Sequence, residues 1–216
     1  MIRILMRLII ISLLFLFLGN PVFAASVTNL QPSKGGKLPV ISLQVPKDPS
    51  EKMYLGLSEG EFFKIPEIKA DAVVIKIFNV YCPGCQTTAE VMTDLYHQIE
   101  NNPACKDRIK LIGIGVGNSP LEVEVFKERH KVPFPIFPDE DLKIHEALGE
   151  VRIPFFIAIK MQGDGSHQIV HTHLGGPTNA KALLDLMAEA YGMKQEDLLI
   201  REAAASPLEF LYKWIP

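Results

Sequence analysis

Two cysteines separated by two residues are the part of the sequence best suited to do chemistry. They stand in the segment Cys82-Pro83-Gly84-Cys85. If a helix begins at Pro83, this spacing puts the second sulfur one helical turn along on the same face. The two sulfurs can then bond to each other and carry two electrons. The free N–H groups at a helix start stabilise a thiolate, so the spacing predicts an attacking Cys82 and a resolving Cys85.

The elements beside this pair must place it where a strand ends and a helix begins. Residues 72–80 form a nearly continuous apolar run rich in β-branched side chains, which predicts a strand buried on both faces. A helix is predicted over residues 83–100, because proline suits the first helical turn and Val91, Leu95 and Ile99 fall at helical spacing.

The rest of the chain alternates between strand and helix patterns. Predicted strands cover residues 40–45, 62–68, 109–116, 135–137, 154–160 and 167–173, and predicted helices cover residues 119–130, 142–148 and 179–191. Residues 46–50 are predicted to form a turn. In the helix over residues 119–130, Leu121 and Val125 are expected to face the core. This alternation predicts an α/β protein with a central mixed sheet, flanked by helices and closed by an antiparallel hairpin.

The N-terminus has the layout of a secretory signal peptide. Arg3 and Arg7 precede an apolar run of 11 residues at positions 8–18, and Val22 and Ala24 supply small residues at the −3 and −1 positions of a cleavage site. That run is shorter than the roughly 20 residues that a membrane-spanning helix needs. We therefore expect cleavage near Ala24 or Ala25 and export to the periplasm or another extracytoplasmic space, with an uncleaved membrane anchor as the alternative.

Charge and cysteine count narrow the classes of function. The formal net charge of −3 falls to −5 once residues 1–24 and their two arginines are removed, and this gives no reason to expect nucleic acid as a partner. Three cysteines are too few for a disulfide framework. The third, Cys105, is predicted to be a packed spare thiol, with a second resolving cysteine or an intermolecular site as alternatives.

Two stretches resemble the thioredoxin superfamily. The stretch from Ala72 to Cys85 resembles its first strand and active-site turn, and the stretch from Arg152 to Ile157 is similar to its cis-proline loop and following strand. The likeness is strongest to the exported, redoxin-like TlpA/ResA branch. It implies a thioredoxin-like fold with an N-terminal β extension. The implied domains are a signal peptide (1–24), an N-terminal extension with a short strand (25–59), a thioredoxin-like domain (60–193) and a C-terminal tail (194–216).

The resemblance also implies an activity and a substrate site. Pro154 would be cis and face Cys82, and the backbone of Ile153 would bind an extended substrate strand. The expected substrate-binding residues are Tyr81, Pro83, Gly84, Ile153 and Pro154. The implied function is an exported thiol–disulfide oxidoreductase that reduces or exchanges protein disulfides without a cofactor. Its partners would be protein thiols and disulfides and a membrane-linked or exported redox partner.

Three positions depart from the pattern of the superfamily. Tyr81 stands where a tryptophan is usual, and Thr88 stands where this branch has a glutamate. Lys76 occupies the position of a buried aspartate that assists the second thiol. We interpret Lys76 as a side chain that reaches solvent from the sheet surface. The alternative is a buried Lys76 that holds a thiolate electrostatically.

Two other functions stay open. The segment Val132–Asp139 and Arg152 look peroxiredoxin-like, which suggests a thiol peroxidase, although Asn79 stands where that motif requires threonine. His171 and His173 fall on one face of the last strand. Together with the cysteine pair they suggest a thioredoxin-fold copper chaperone, although such proteins separate their cysteines by three residues. Polar residues on an edge strand are the simpler interpretation of the two histidines.

Overall fold

A five-stranded mixed sheet forms the centre of the protein. The computed structural model describes residues 31–176 and 179–191, without the side chains of residues 185–190. The strands are β1 (Ser42–Gln44), β2 (Phe62–Lys64), β3 (Ala72–Phe78), β4 (Ile109–Val116), β5 (Ile136–Asp139), β6 (Phe155–Met161) and β7 (His167–Leu174). The helices are α1 (Pro49–Leu55), α2 (Pro83–Glu100), α3 (Pro120–His130), α4 (Lys143–Ala147) and α5 (Ala180–Tyr191).

The sheet places β3 at its centre. The strand order is β5-β4-β3-β6-β7, and β1 and β2 form a separate antiparallel pair. Strands β3, β4 and β5 are parallel, whereas β6 runs antiparallel to β3, and β7 antiparallel to β6. The predicted mixed sheet, its closing hairpin and the N-terminal β extension are confirmed. The end of β3 therefore lies in the middle of one sheet edge, where loops from both sides can meet it.

Both faces of the central strand are covered. All seven residues of β3 are buried, and alternate side chains enter two different cores. Val74 and Phe78 pack with side chains of α2, α3 and α5, whereas Ile75 and Ile77 pack with the β1–β2 pair and the segment after α4. A strand packed on both faces is a rigid support for the residues that follow it.

The buried face of α3 differs from the prediction. Leu121 is 73% exposed and Val125 is 47% exposed, whereas Val123 and Phe126 are buried. The expectation that Leu121 and Val125 face the core is therefore wrong. The physical reason is that the Phe126 ring packs against Phe78, with 4.9 Å between ring centroids. That contact turns the opposite side of α3 towards solvent.

The segment before β3 is more helical than predicted. Residues 46–50 were expected to form a turn, but α1 begins at Pro49, and the Asp48 carboxylate caps it by accepting a hydrogen bond from the Ser50 N–H at 2.7 Å. The predicted strand over residues 62–68 ends at Lys64, because a short 3-10 turn over Ile65–Glu67 follows. These are corrections of extent, and the strand pair itself is present.

The two chain ends limit what the structure tests. The predicted signal peptide (1–24) and C-terminal tail (194–216) lie outside the described residues, so both stay predictions. Among residues 31–176 and 179–191, no helix has both the length and the apolarity that crossing a membrane requires.

Candidate active site

The cysteine pair lies where β3 passes into α2, as predicted. Cys82 is the N-cap of α2, and its carbonyl accepts hydrogen bonds from the N–H groups of Cys85 and Gln86 at 3.0 and 3.1 Å. The turn before it is held by Asn79, whose side-chain oxygen accepts from the Tyr81 N–H at 2.9 Å. An 18-residue helix therefore begins directly after Cys82, and its dipole favours negative charge at this end.

The two sulfurs differ sharply in access. Cys82 is half-buried and Cys85 is fully buried, and both are present as thiols. Burial is the main cause that raises the pKa of the Cys85 thiol to about 12, and its hydrogen bond to Cys82 acts in the same direction. A partner from solution can therefore reach the first sulfur but not the second, which lies within hydrogen-bond reach of the first.

A proline loop at the start of β6, the strand next to β3, packs against this turn. The Ile153–Pro154 bond is cis, as the resemblance implied, and Pro154 is buried. A Cβ atom built on Gly84 would lie 3.8 Å from Pro154 Cδ, so the ring packs beside the Cys-Pro-Gly-Cys turn. The Pro154 carbonyl accepts from the Gly175 N–H at 2.8 Å. Within the described part of the chain, the main chain of Ile153 makes no hydrogen bond, so its polar groups are available to a ligand.

Tyr81 presents its ring to solvent beside the reactive turn. Its side chain is 68% exposed, and its hydroxyl donates a hydrogen bond to the Glu122 carboxylate at the start of α3. This bond raises the pKa of Tyr81 and lowers the pKa of Glu122. This hydrogen bond ties the Tyr81 ring to the start of α3 beside the reactive turn.

Lys76 is buried, and its predicted exposure at the sheet surface is wrong. The side chain is 3% exposed, and its Nζ donates to the Cys85 carbonyl at 3.0 Å. The Thr88 hydroxyl donates to the same carbonyl, also at 3.0 Å. The burial comes from tertiary packing, because α2 folds back over β3 and covers the middle of the strand. Desolvation lowers the pKa of Lys76 to about 8, while the two thiols act against this shift.

The remaining candidates do not join the cysteine pair. His171 and His173 stack with 6.2 Å between ring centroids on β7. Among the described residues, no group of three or more histidine, cysteine, aspartate or glutamate side chains is placed to hold a metal ion. Cys105 is fully buried in the core after α2, which agrees with its interpretation as a packed thiol. Arg152 is exposed next to the proline loop.

Comparison with known sequence families shows which family the chain belongs to. The sequence model of the AhpC/TSA family matches residues 46–164, which is more than half of the chain. The chain belongs to the AhpC/TSA family. The matched segment contains the cysteine pair and the Ile153–Pro154 loop, whereas His171 and His173 lie beyond it. This is the redoxin relationship that the sequence resemblance implied.

Curated relatives of this AhpC/TSA chain are named thiol-disulfide oxidoreductase ResA. The protein from Halalkalibacterium halodurans is 28% identical over 120 residues, which cover 56% of this chain and 63% of the relative. The protein from Geobacillus thermodenitrificans is 24% identical over 161 residues, which cover 74% of this chain and 83% of the relative. The chain thus spans under two thirds of the length of the first relative and more of the second.

Solved structures place the AhpC/TSA chain in the thioredoxin-like fold. A putative thiol:disulfide interchange protein DsbE from Chlorobium tepidum superposes with a TM-score of 0.56 at 15% identity, covering 75% of this chain and 100% of that one. The thioredoxin domain of a thiol-disulfide oxidoreductase from Bacteroides vulgatus superposes with a TM-score of 0.53 at 14% identity, covering 72% and 98%. The predicted fold class is confirmed.

Proposed function

We propose that the protein is an exported thiol–disulfide oxidoreductase that reduces or exchanges the disulfides of other proteins. The observation that carries this proposal is the unequal access of the two sulfurs. Cys82 is reachable at a helix N-terminus, and Cys85 is sealed behind it within hydrogen-bond reach. The names of the ResA relatives support the same activity. The N-terminal pattern of residues 1–24 supports export.

The proposed reaction moves two electrons in two exchanges. The Cys82 thiolate attacks one sulfur of a substrate disulfide, the substrate S–S bond breaks, and the other substrate sulfur leaves as a thiolate that takes up a proton. The Cys85 thiol then loses its proton and attacks the Cys82 sulfur. A Cys82–Cys85 disulfide forms, the mixed disulfide breaks, and the second substrate thiolate leaves. The substrate is reduced, the cysteine pair is oxidised, and an exported or membrane-linked partner must reduce the pair again.

The substrate would bind as an extended strand across the proline loop. The main chain of Ile153, which makes no hydrogen bond to the described residues, can pair with a polypeptide next to its disulfide, which is a form of strand addition. Pro154 packs beside Gly84, so such a strand would pass close to Cys82. Pro83 and Tyr81, the two residues that flank Cys82 in the chain, are exposed. These five residues remain the proposed substrate contacts, and protein thiols and disulfides remain the proposed substrates.

Reduction of insulin disulfides by the protein with a dithiol reductant tests this function. We expect Cys82→Ser to abolish turnover, and Cys85→Ser to accumulate a mixed disulfide with the substrate. Cys105→Ala is the matched control, because it removes a buried thiol outside the pair, and it should retain turnover. Undiminished turnover in Cys82→Ser would refute the proposal. Peroxide consumption in place of insulin reduction would favour the peroxidase, and stoichiometric Cu(I) binding without turnover would favour the copper chaperone.

A further inference from the structure

A buried lysine beneath the cysteine pair has no carboxylate partner among the described residues. Lys76 is 3% exposed in the middle of β3, between Gly113 of β4 and Phe156 of β6. No ion pair to it is formed within the described part of the chain. An ammonium group taken out of water without a partner is strongly unfavourable. Because burial of this ammonium group destabilises the fold, we expect a chemical role for Lys76.

The contacts of Lys76 lead to the second cysteine. Its Nζ donates to the Cys85 carbonyl at 3.0 Å and lies 5.0 Å from the centroid of the Phe78 ring. The titratable groups that interact with its charge are Cys85, Cys82 and, from α3, His130. The lysine therefore lies under the start of α2, with two ionisable sulfurs and one imidazole as its electrostatic neighbours.

The environment of Cys85 opposes the ionisation of its thiol. Burial and the hydrogen bond to Cys82 hold the Cys85 thiol protonated. Two groups oppose them and lower the pKa of this thiol, namely the backbone N–H of Asn79 and the positive charge of Lys76. The Asn79 N–H has the larger effect of the two, and Lys76 is the one that contributes a full charge.

We propose that Lys76 is a positioning residue that holds the start of α2 through the Cys85 carbonyl and stabilises the Cys85 thiolate while the mixed disulfide is resolved. This inference rests on the proposed function and assigns one step of it. In that step Cys85 releases its proton to water, its thiolate bonds to the Cys82 sulfur, and the Cys82–substrate bond breaks. The bonding electrons leave on the substrate sulfur, which is protonated by water. Lys76 keeps its proton throughout and acts only through its charge.

A purely structural role for Lys76 makes a different prediction. Thr88 donates to the same carbonyl at the same distance of 3.0 Å, so the Cys85 carbonyl stays bonded when Lys76 is replaced. If Lys76 served only to satisfy that oxygen, loss of either donor would have a similar effect. If it acts by charge, Lys76→Met slows resolution much more than Thr88→Val does.

Stopped-flow release of nitrothiobenzoate separates the two exchanges. One equivalent of dithiobis(nitrobenzoate) reacts with Cys82 in a first phase and releases one nitrothiobenzoate. Attack by Cys85 on the mixed disulfide releases the second nitrothiobenzoate in a later phase. We expect Lys76→Met to slow the second phase about tenfold at neutral pH, which corresponds to a rise of about one unit in the pKa of Cys85. Lys110→Met is the matched control, since Lys110 is also a buried lysine that donates to a backbone carbonyl, and it should leave both phases unchanged.

The pH profile of the wild-type protein gives a second test that needs no variant to fold. The rate of the second phase should rise about tenfold per unit below pH 8, in proportion to the Cys85 thiolate. The rise should flatten near pH 8, where Lys76 loses its charge, and Lys76→Met should show no such flattening. A rise without flattening in the wild type, or an unchanged second phase in Lys76→Met, would overturn the inference alone. Absence of the first phase in the wild type would overturn the proposed function instead.

Discussion

Two buried lysines on neighbouring strands are held by the same kinds of neutral contact. Lys76 in β3 is 3% exposed and Lys110 at the start of β4 is 5% exposed. Each Nζ donates to a backbone carbonyl at 3.0 Å, and each lies over an aromatic ring, Phe78 for the first and Tyr54 for the second. Contacts with uncharged groups therefore do not distinguish Lys76 from Lys110.

The charged neighbours of the two lysines differ. Lys110 lies 3.9 Å from a Glu100 oxygen and 3.8 Å from an Asp107 oxygen. Lys76 has the thiols of Cys82 and Cys85 in the place of carboxylates. A lysine beside carboxylates is compensated at all times, whereas a lysine beside thiols is compensated only when a thiol ionises. A buried charge can therefore serve stability at one end of a sheet and chemistry at the other.

The largest expected effect is an opposite change in stability at the two lysines. Desolvation lowers the pKa of Lys76 from 10.5 to about 8, so Lys76→Met should raise the free energy of unfolding at neutral pH by up to about 3 kcal/mol. Lys110→Met leaves the Glu100 carboxylate without its cation and should lower it by about 1–3 kcal/mol. Urea unfolding at neutral pH measures both changes, and equal losses in the two variants would contradict the proposed difference between the two lysines.

The pH dependence of the Lys76 effect has a definite sign. A base whose pKa is lowered by folding destabilises the folded state most fully below its folded pKa, because the unfolded chain binds more protons above that point. The wild-type deficit relative to Lys76→Met should therefore be complete below pH 8 and shrink as the pH rises from 8 towards 10.5. Unfolding curves of the two proteins across this range measure the difference, and a deficit that grows with pH would contradict the assignment.

A smaller effect is expected from removal of the hydroxyl of Tyr54, whose ring lies beneath Lys110. The Tyr54 hydroxyl accepts a hydrogen bond from the Leu111 N–H at 2.8 Å. Tyr54→Phe keeps the ring and leaves this buried N–H without an acceptor, so it should lower the free energy of unfolding by about 1–2 kcal/mol. Denaturant unfolding measures the loss. Insulin reduction by the folded variant should equal that of the wild type, and a slower resolving phase would show that the two ends of the sheet are coupled.

The smallest effect is expected from an exposed ion pair next to Lys110. Arg108 and Asp71 are joined at 2.6 Å, but their side chains are 49% and 59% exposed. Such a pair is screened by water, and Arg108→Gln should lower the free energy of unfolding by less than about 1 kcal/mol. Thermal unfolding at low and high salt measures this change. A loss as large as that of Lys110→Met would mean that burial does not separate these two cations.

The sequence predicted the frame of the site well because its signals are local. The helix over residues 83–100 and the strand over residues 109–116 are confirmed at both ends. A proline at the first helical position and the recurring isoleucine and valine side chains of residues 109–116 are local signals for these two elements. The cis Ile153–Pro154 bond was implied by resemblance and is also confirmed.

The errors arose where distant contacts decide the outcome. Lys76 carries no local sign of burial, since one lysine in an apolar strand can lie on a covered or an open face. The exposure of Leu121 and Val125 depends on the Phe126 ring packing against β3. Helix α1 is the exception, because its start is marked locally in the sequence by Asp48 and the Pro49 that follows it.

The order in which the three thiols react tests the unequal access of the two active-site sulfurs. The reduced protein is treated at neutral pH with limiting iodoacetamide, and the labelled peptides are quantified by mass spectrometry. The half-buried Cys82 should be modified at least about tenfold faster than the fully buried Cys85 and Cys105. Modification of Cys85 or Cys105 first, or of all three at one rate, would contradict a site built on one reachable sulfur and one sealed behind it.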